Sequence, residues 1–447
     1  MLPLISKPRD TFFMGDLPTL SHDMLQYLLD VSKHGDFVKA MFGPYAMYFL
    51  NHPDLLHKVL VEDADQYEKT IMIKQVLGPV IGTGLFTNDG DFWKRQRKLM
   101  QPAFHSKRIA AYADTMVDYA AHLADGWENG ETLMFDQAMT NLTMHIVVKA
   151  LFGLEMGADA DEIGATVKKL LEIVDVRFNR LMPLPDWMPT KENRDLRKHI
   201  ARLDALIQGF IEERRRTGKD NGDLLSMILL AQDEDGGAMT DKQVRDEAMT
   251  IFGAGHETTA VALTWTFYLL SQNPEVEARL HDELSAVLGG RLPTFADLPN
   301  LKYTEMIVKE AMRLYPPAFA TTRLAREGTV LEGVRLPKMA NVLVNIYGVH
   351  HDERFFPDPE RFDPERFSPE NEKTITRYAY LPFGAGPRVC IGNQFAMMEA
   401  KLIVATLAQR FQMHLAPGHL VQPERMFTLR PKYGMKMVVT ERQAVLA

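Results

Sequence analysis

The chain has a single cysteine, Cys390, among its 447 residues. One thiol cannot form an internal disulfide, and it cannot supply a multi-cysteine zinc or iron–sulfur site. Runs of 18 or more apolar residues are also missing, so no transmembrane helix is expected. The formal net charge of -8 at pH 7 argues against a general nucleic-acid-binding protein.

Signals for secretion and for a division into domains are absent as well. The first residues contain too few apolar side chains before Lys7 for the hydrophobic part of a secretory signal, so we expect a cytoplasmic protein. Length alone suggests about three domains. However, no linker, repeat or low-complexity tract marks a second domain, and we expect one domain over residues 1–447.

Helical periodicity dominates the sequence, with apolar residues at i, i+3 and i+4 over 106–129 and 201–216. The longest predicted helix begins after Thr240, because Thr240 and Gln243 can form a capping box. It ends near Gln272, before an Asn-Pro pair. Its length of roughly 45–50 Å would cross a whole domain, so most of it must be buried.

The remaining regular segments are shorter. Pro316 ends a predicted helix over 301–315, and another helix is predicted over 391–411. Strand-like runs with alternating or β-branched residues occupy 330–336, 342–346 and 435–439. The fold class is therefore predicted to be mainly α with a minor β part.

The segment FGAGPRVCIG, from Phe383 to Gly392, surrounds the cysteine. Its glycines and proline predict a tight loop that leads into a helix. The positive end of the helix dipole and nearby Arg388 favour a thiolate at Cys390. Most lone cysteines are buried small apolar residues, but this loop favours a nucleophile or a metal ligand. A single thiolate ligand points to haem.

The pattern of Phe383, Arg388, Cys390 and the loop glycines resembles the haem-binding loop of the cytochrome P-450 family. The resemblance implies a single large haem-thiolate fold with a long central helix and haem b as cofactor. It implies that Cys390 is the axial ligand of the haem iron, that Arg388 pairs with a haem propionate, and that Phe383 packs beside the sulfur.

Glu310 and Arg313 lie three residues apart on the helix before Pro316. Alone, such a pair is usually a surface ion pair that contributes a few tenths of a kcal/mol. The resemblance implies instead that it joins Arg366, in the segment Pro-Glu-Arg-Phe, in a structural network behind the haem. Their role would be in folding and not in chemistry.

The long helix carries the segment GAGHETT over 253–259. It is no His-Glu-x-x-His zinc site, because residue 260 is alanine, and it lacks the third glycine of a dinucleotide-binding turn. It resembles the oxygen-activation segment of the family, which implies that Glu257 and Thr258 deliver protons. Ala254 and Gly255 would leave room above the iron. A polar kink in a buried helix is the alternative.

Haem carries two carboxylates that need cations in an apolar cleft. Trp93 and Arg97, four residues apart, match the propionate pair of the family, and Arg323 matches a later propionate arginine. A basic cluster lies nearby and is either a solvated face or a docking surface for a ferredoxin or flavodoxin-type electron donor. Its members are Lys94, Arg95, Lys98, Lys107 and Arg108.

The resemblance extends from Gly84 to Lys432 and implies a haem-dependent monooxygenase, an oxidoreductase that inserts one oxygen atom of O2 into a C–H bond. Electrons would come from NAD(P)H through a separate partner, since no reductase or ferredoxin is fused to the domain. The alternatives are a peroxide-driven haem peroxygenase and a non-catalytic haem sensor or carrier. Neither needs the acid–alcohol pair Glu257 and Thr258.

The substrate is expected to be a hydrophobic small molecule. The pattern over 84–104 is closer to the family branch of bacterial fatty-acid hydroxylases, so a fatty acid is the first expectation and a terpenoid or steroid the second. Phe86, Phe178 and Met182 are predicted to line the pocket, although such side chains are more often simple core residues. The predicted walls are residues 68–87, 170–190, 252–258 and 318–322.

Overall fold

The computed structural model describes residues 2–8, 10, 11, 14–178, 185 and 187–442. The helices are α1 (Leu17–His22), α2 (Met24–His34), α3 (Pro53–His57), α4 (Ile71–Ile81), α5 (Gly90–Met100), α6 (Ser106–Ile109), α7 (Ala113–Asp125), α8 (Phe135–Phe152), α9 (Ala158–Phe178), α10 (Lys191–Thr217), α11 (Leu224–Leu230), α12 (Asp241–Gln272), α13 (Pro274–Leu288), α14 (Lys302–Leu314), α15 (Ile346–His350) and α16 (Asn393–Arg410). The strands are β1 (Leu4–Ser6), β2 (Phe37–Phe42), β3 (Tyr45–Leu50), β4 (Tyr67–Glu68), β5 (Thr132–Met134), β6 (Thr321–Ala325), β7 (Val330–Leu331), β8 (Val334–Arg335), β9 (Asn341–Val344), β10 (Phe411–Leu415), β11 (Pro423–Arg425), β12 (Leu429–Pro431) and β13 (Lys436–Glu441). The prediction of a mainly α fold with a minor β part is confirmed.

The central helix α12 begins and ends where its sequence signals predict. The Thr240 side chain accepts a hydrogen bond from the backbone N–H of Gln243, and the Gln243 side chain accepts one from the backbone N–H of Thr240. The helix packs against α8, α14 and α16, and its second half is buried on almost every side. A helix that is apolar on all sides must lie inside the protein, so the second half of α12 runs through the core.

A six-stranded sheet in the order β1-β2-β3-β9-β6-β4 lies beside the helices. Its first three strands come from the N-terminal part of the chain, which the sequence analysis did not identify as β structure. A three-stranded sheet, β10-β13-β5, and two hairpins, β7–β8 and β11–β12, complete the β part. The hairpin β11–β12 matters for function because its turn reaches the middle of α12.

Several predicted boundaries differ from the structure. The helical pattern over 106–129 is interrupted by a 3₁₀ turn and ends at Asp125. Helix α10 starts ten residues before the predicted 201, because the Thr190 side chain caps it. Two short strands and a turn replace the predicted strand over 330–336, and α15 already begins at Ile346. Within the described residues, no helix is long and apolar enough to cross a lipid bilayer.

Candidate active site

The cysteine loop is held in shape by a close approach to another segment. Cys390 donates its backbone N–H to the carbonyl oxygen of Phe383 at 2.9 Å, and a short 3₁₀ turn occupies Gly386–Arg388. Gly386 has φ of +69°, and a Cβ atom there would lie 2.0 Å from the carbonyl oxygen of Leu60. This position therefore requires glycine, both for its backbone conformation and for space.

The Cys390 thiol lies deep in the protein, yet its side chain is accessible because it faces an internal opening. Burial raises the pKa of the Cys390 thiol, against the lowering effects of the Gly392 backbone N–H and the Arg97 charge. The loop N–H thus favours the thiolate, as predicted, but the charge that acts on the thiol is that of Arg97, and desolvation outweighs both effects in the protein alone. A metal ion at the sulfur would deprotonate the thiol.

Arg388, two residues before the cysteine, is anchored to the start of α5. Its guanidinium donates to Asp89 Oδ1 at 2.5 Å and to the carbonyl oxygen of Asn88 at 3.0 Å. It also lies 4.3 Å from the centre of the Trp93 ring. Arg97 follows one turn after Trp93 on α5 and is half-buried, and its charge acts on Cys390. The structure therefore brings Trp93, Arg97 and Arg388 together near the sulfur.

Two further cations are buried beside Arg388. Arg323 on β6 is 7% exposed, and burial together with the Arg388 charge lowers its pKa to about 10. Lys69 is 8% exposed, and burial, followed by the charges of Arg323 and Arg388, lowers its pKa strongly. Its Nζ lies 4.7 Å from the centre of the Phe86 ring. The sequence analysis missed Lys69, because no local pattern distinguishes it from a surface lysine.

Among the described residues, Asp89 is the one carboxylate whose charge supports both Lys69 and Arg323. Asp89 already pairs with Arg388 and with Lys74. Buried cations in excess of their counter-charges are costly. The site consequently fits a bound group that brings additional carboxylates, and the two propionates of haem meet that requirement.

The middle of α12 carries the second group of predicted site residues. Ala254 is exposed although its helix is central, and the Thr258 hydroxyl donates to the Ala254 carbonyl oxygen at 2.8 Å. Residues four apart share a helix face, so Ala254 and Thr258 face the same space. A Cβ atom on Gly255 would lie 3.1 Å from Val147 Cγ2. Small residues here allow both the opening and the close packing of α8.

Glu257 and Thr258 have different hydrogen-bond partners. Its carboxylate is buried, and Oε1 accepts a hydrogen bond from the Thr428 hydroxyl at 2.8 Å. Burial raises the pKa of Glu257, while the Thr428 hydroxyl and the Arg430 charge lower it. The two residues are adjacent in sequence, but their side chains do not bond each other in this conformation.

An apolar cavity extends from Ala254 toward α4 and α9. Its described lining residues include one polar side chain, Thr250. Three of the predicted walls, 68–87, 170–190 and 252–258, contribute to the described lining, and Phe86 is part of it. The range 318–322 contributes nothing to this lining, and Met182 lies outside the described residues. The lining residues are Leu77, Val80, Ile81, Phe86, Val167, Leu170, Leu171, Val174, Met249, Thr250, Phe252, Gly253, Ala254 and Phe427.

Phe427, at the turn of the β11–β12 hairpin, is a wall residue that the sequence analysis missed. Its ring contacts Phe86 edge-on, with the centroids 5.8 Å apart, and Phe178 at 5.6 Å. Phe178 therefore supports the wall through Phe427. A lone phenylalanine near the end of the chain carries no sequence signal that would place it there.

A buried ion network joins Glu310, Arg313 and Arg366. Arg313 donates to both carboxylate oxygens of Glu310 at 2.7 and 2.8 Å, and both side chains are completely buried. Arg366 donates to Glu310 Oε1 at 3.3 Å. The Arg313 guanidinium also donates to the carbonyl oxygens of His350 and Arg361. The network thus ties α14 to two later segments of the chain.

Glu399 on α16 is a further buried carboxyl, and the sequence analysis missed it. It is 1% exposed, Thr259 is its hydrogen-bond partner, and burial raises its pKa to about 8. The Glu399 carboxyl is therefore mostly protonated at neutral pH. A glutamate within the otherwise apolar face of α16 was the available signal.

Part of the predicted docking cluster is paired within the chain. Lys94 lies 3.2 Å from Asp91, and Arg95 lies 2.8 Å from Asp233. Lys98 pairs with Glu234. These ion pairs neutralise much of the positive charge that the sequence suggests, because the acidic turn around residue 233 folds back onto α5.

A family model described as Cytochrome P-450 matches residues 6–438. The chain is 40% identical over 433 residues to Cyclooctatin synthase from Streptomyces melanosporofaciens, which covers 94% of this chain and 94% of that protein. It is 38% identical over 414 residues to Cyclooctat-9-en-7-ol 5-monooxygenase of the same organism, with 90% and 89% covered. It is 33% identical over 437 residues to Pentalenene oxygenase from Streptomyces avermitilis, with 96% of each covered.

A solved structure shares the whole architecture. The crystal structure of the cytochrome P450DA heme domain superposes with a TM-score of 0.89 at 26% identity and covers 99% of both chains.

Proposed function

The chain belongs to the cytochrome P-450 family and is a haem-dependent monooxygenase, and we propose that its substrate is a terpenoid. The cofactor is haem b, reduced with electrons from NAD(P)H through a redox partner. The observation that carries the proposal is the lining of the cavity, in which Thr250 is the single polar side chain among the described residues. The names of three relatives refer to cyclooctatin, cyclooctat-9-en-7-ol and pentalenene.

The same lining disfavours the fatty acid that was the first expectation from the sequence. A carboxylate that enters an apolar cavity needs a cation or several hydrogen-bond donors, since an unpaired buried charge is costly. The described lining offers the Thr250 hydroxyl and no charged group. A cyclic hydrocarbon or a hydrocarbon alcohol meets this surface without such a cost.

In this proposal the Cys390 sulfur would bind the haem iron. The propionates would be held by Arg388, Arg323, Arg97 and Trp93, and Lys69 would join them because it lies in the same buried group of cations. When bound, the haem supplies the activation of dioxygen and the transfer of one oxygen atom to a C–H bond.

The side chains of α12 then supply space and protons. Ala254 and Gly255 keep the volume above the opening free, and the apolar wall orients the substrate and excludes water. Burial raises the pKa of Glu257, which makes its carboxyl a better proton source than that of an exposed glutamate. The Thr258 hydroxyl, which faces the opening beside Ala254, is placed to pass a proton to a bound ligand.

Glu257→Gln and Thr258→Ala are each expected to uncouple the reaction. Product formed per NAD(P)H consumed should fall about tenfold or more, since positioned proton donors contribute about 10²–10⁴-fold. The measurement is product yield against NAD(P)H consumption with a reconstituted redox partner. Thr264→Val is the matched control, because it removes another buried hydroxyl of α12 that bonds only its own helix backbone. Unchanged coupling in both variants would contradict the proton-delivery role. Turnover with peroxide alone would support a peroxygenase, and ligand binding without product under either condition would support a haem sensor or carrier.

Terpenoid binding is expected to shift the ferric spin state of the purified holoenzyme. A cyclic terpene alcohol should bind at least about tenfold more tightly than a fatty acid of equal carbon number, because only the acid must bury a charge. Titration of both ligands with absorbance detection gives the two dissociation constants. Tighter binding of the fatty acid would refute the terpenoid assignment and leave the monooxygenase class untouched.

The electron donor is proposed to be a ferredoxin or flavodoxin-type protein. Lys94, Arg95 and Lys98 are engaged in ion pairs within the chain. Lys107 and Arg108 on α6 are exposed. They supply the unscreened positive charge that an acidic donor requires for fast association.

A further inference from the structure

We propose that Thr428 is a positioning residue that holds the carboxyl of Glu257 beside the turn of the β11–β12 hairpin. The Thr428 hydroxyl donates to Glu257 Oε1 at 2.8 Å, and both side chains are buried. The inference rests on the proton-delivery role proposed for Glu257, and it adds a residue that is 171 positions away in sequence.

The turn that carries Thr428 is clamped on both sides. The Trp265 indole N–H, two turns along α12 from Glu257, donates to the Leu429 carbonyl oxygen at 2.8 Å. The Leu429 backbone N–H in turn donates to the Pro317 carbonyl oxygen at 3.1 Å. The backbone at Thr428 is therefore fixed, and the Glu257 carboxyl must take the position in which it can accept the hydrogen bond from the Thr428 hydroxyl.

A second anchor comes from α9. Asp175 accepts a hydrogen bond from the Phe427 backbone N–H at 3.1 Å and pairs with Arg430. Asp175 and Arg430 are also the charged groups that act on Glu257, in opposite directions: Asp175 raises its pKa and Arg430 lowers it. Since these two charges oppose each other, the Thr428 hydrogen bond is the directional contact that sets where the carboxyl lies.

The position of Thr428 also ties the acid to the substrate cavity. Phe427, the preceding residue, is part of the cavity wall and contacts Phe86 and Phe178. One hairpin turn thus presents an aromatic ring to the substrate and a hydroxyl to Glu257. The hydrogen bond holds the carboxyl beside the hairpin turn, next to the residue that lines the cavity.

Infrared spectroscopy of the holoenzyme tests the hydrogen bond without reference to turnover. The spectra are recorded over a pH series that extends below the pKa of Glu257, where the protonated carboxyl band that disappears in Glu257→Gln belongs to Glu257. In Thr428→Val, an isosteric change, this band should move to higher wavenumber and titrate at higher pH, because a hydrogen bond that favours the charged form is lost. Thr428→Ser should restore the wild-type band, and Thr264→Val should leave it unchanged. An unshifted band in Thr428→Val would overturn the inference.

Coupling measurements test the consequence of the hydrogen bond. Product per NAD(P)H should fall about tenfold in Thr428→Val and recover in Thr428→Ser. If Glu257→Gln uncouples the enzyme and Thr428→Val does not, the positioning role is wrong and the proton role stands. If Glu257→Gln retains wild-type coupling, the proposed proton role fails, and the positioning inference fails with it whatever the infrared result.

Discussion

Cys390→His is expected to abolish monooxygenase activity and the thiolate-type spectrum of the reduced carbon monoxide complex. Cys390 is the single cysteine of the chain, so no other thiol can replace it. A thiolate donates electron density that favours cleavage of the O–O bond, and a neutral imidazole does not. The tight loop from Phe383 to Gly392 would still present the new side chain to the same opening, so haem could bind without the thiolate chemistry.

Absorbance spectra of the ferrous carbon monoxide complex and product analysis measure this prediction. Cys390→Ala serves as a second variant that offers no ligand at all, and circular dichroism shows whether both variants keep the helical fold. A thiolate-type spectrum in either variant would mean that Cys390 is not the axial ligand.

Arg313→Leu is expected to destabilise the folded protein by about 3–5 kcal/mol, which is the usual cost of removing one partner of a buried ion pair. The change leaves the Glu310 carboxylate buried with Arg366, at 3.3 Å, as its remaining cationic partner. It also leaves the His350 and Arg361 carbonyl oxygens without their Arg313 donor. We expect a lower urea midpoint, since the network ties α14 to two later segments of the chain.

Arg410→Leu is the matched control, because Arg410 pairs with Asp125 at the surface. Removal of this exposed pair should cost less than about 1 kcal/mol. The double variant Glu310→Leu/Arg313→Leu should be less destabilised than Arg313→Leu, since it leaves no buried carboxylate unpaired. Equal urea midpoints for Arg313→Leu and Arg410→Leu would contradict a buried network that stabilises the fold.

Features with local signals could be predicted well. The capping box at Thr240 and the Asn-Pro stop after Gln272 gave both ends of α12 to within a residue. The motif around Glu310 and Arg313 placed both on one helix face, which the i, i+3 spacing dictates. The N-terminal strands were missed for two reasons. The hairpin β2–β3 is local and its strand pattern was overlooked, whereas the pairing of β3 with β9, almost 300 residues later in the chain, has no local signal.

Charged residues escaped prediction for a different reason. Lys94, Arg95 and Lys98 form a basic cluster in sequence, yet acidic residues pair with all three in the fold. Lys69 carries no motif, yet the fold buries it beside two arginines. The sequence gives the charge of each side chain. Which opposite charge lies beside it depends on which distant segments the fold brings into contact, as for Arg95 and Lys98.

The sequence by itself determined the family, the single thiol, the central helix and the glycine loop that presents Cys390. These features depend on residue type and on spacings of a few residues, which backbone geometry converts directly into structure. Only the tertiary structure decided that burial raises the pKa of the Cys390 thiol, that Lys69 joins the cation group, and that Glu257 bonds Thr428 and not its neighbour Thr258. Desolvation and contacts between distant segments set these properties, and neither has a local signature.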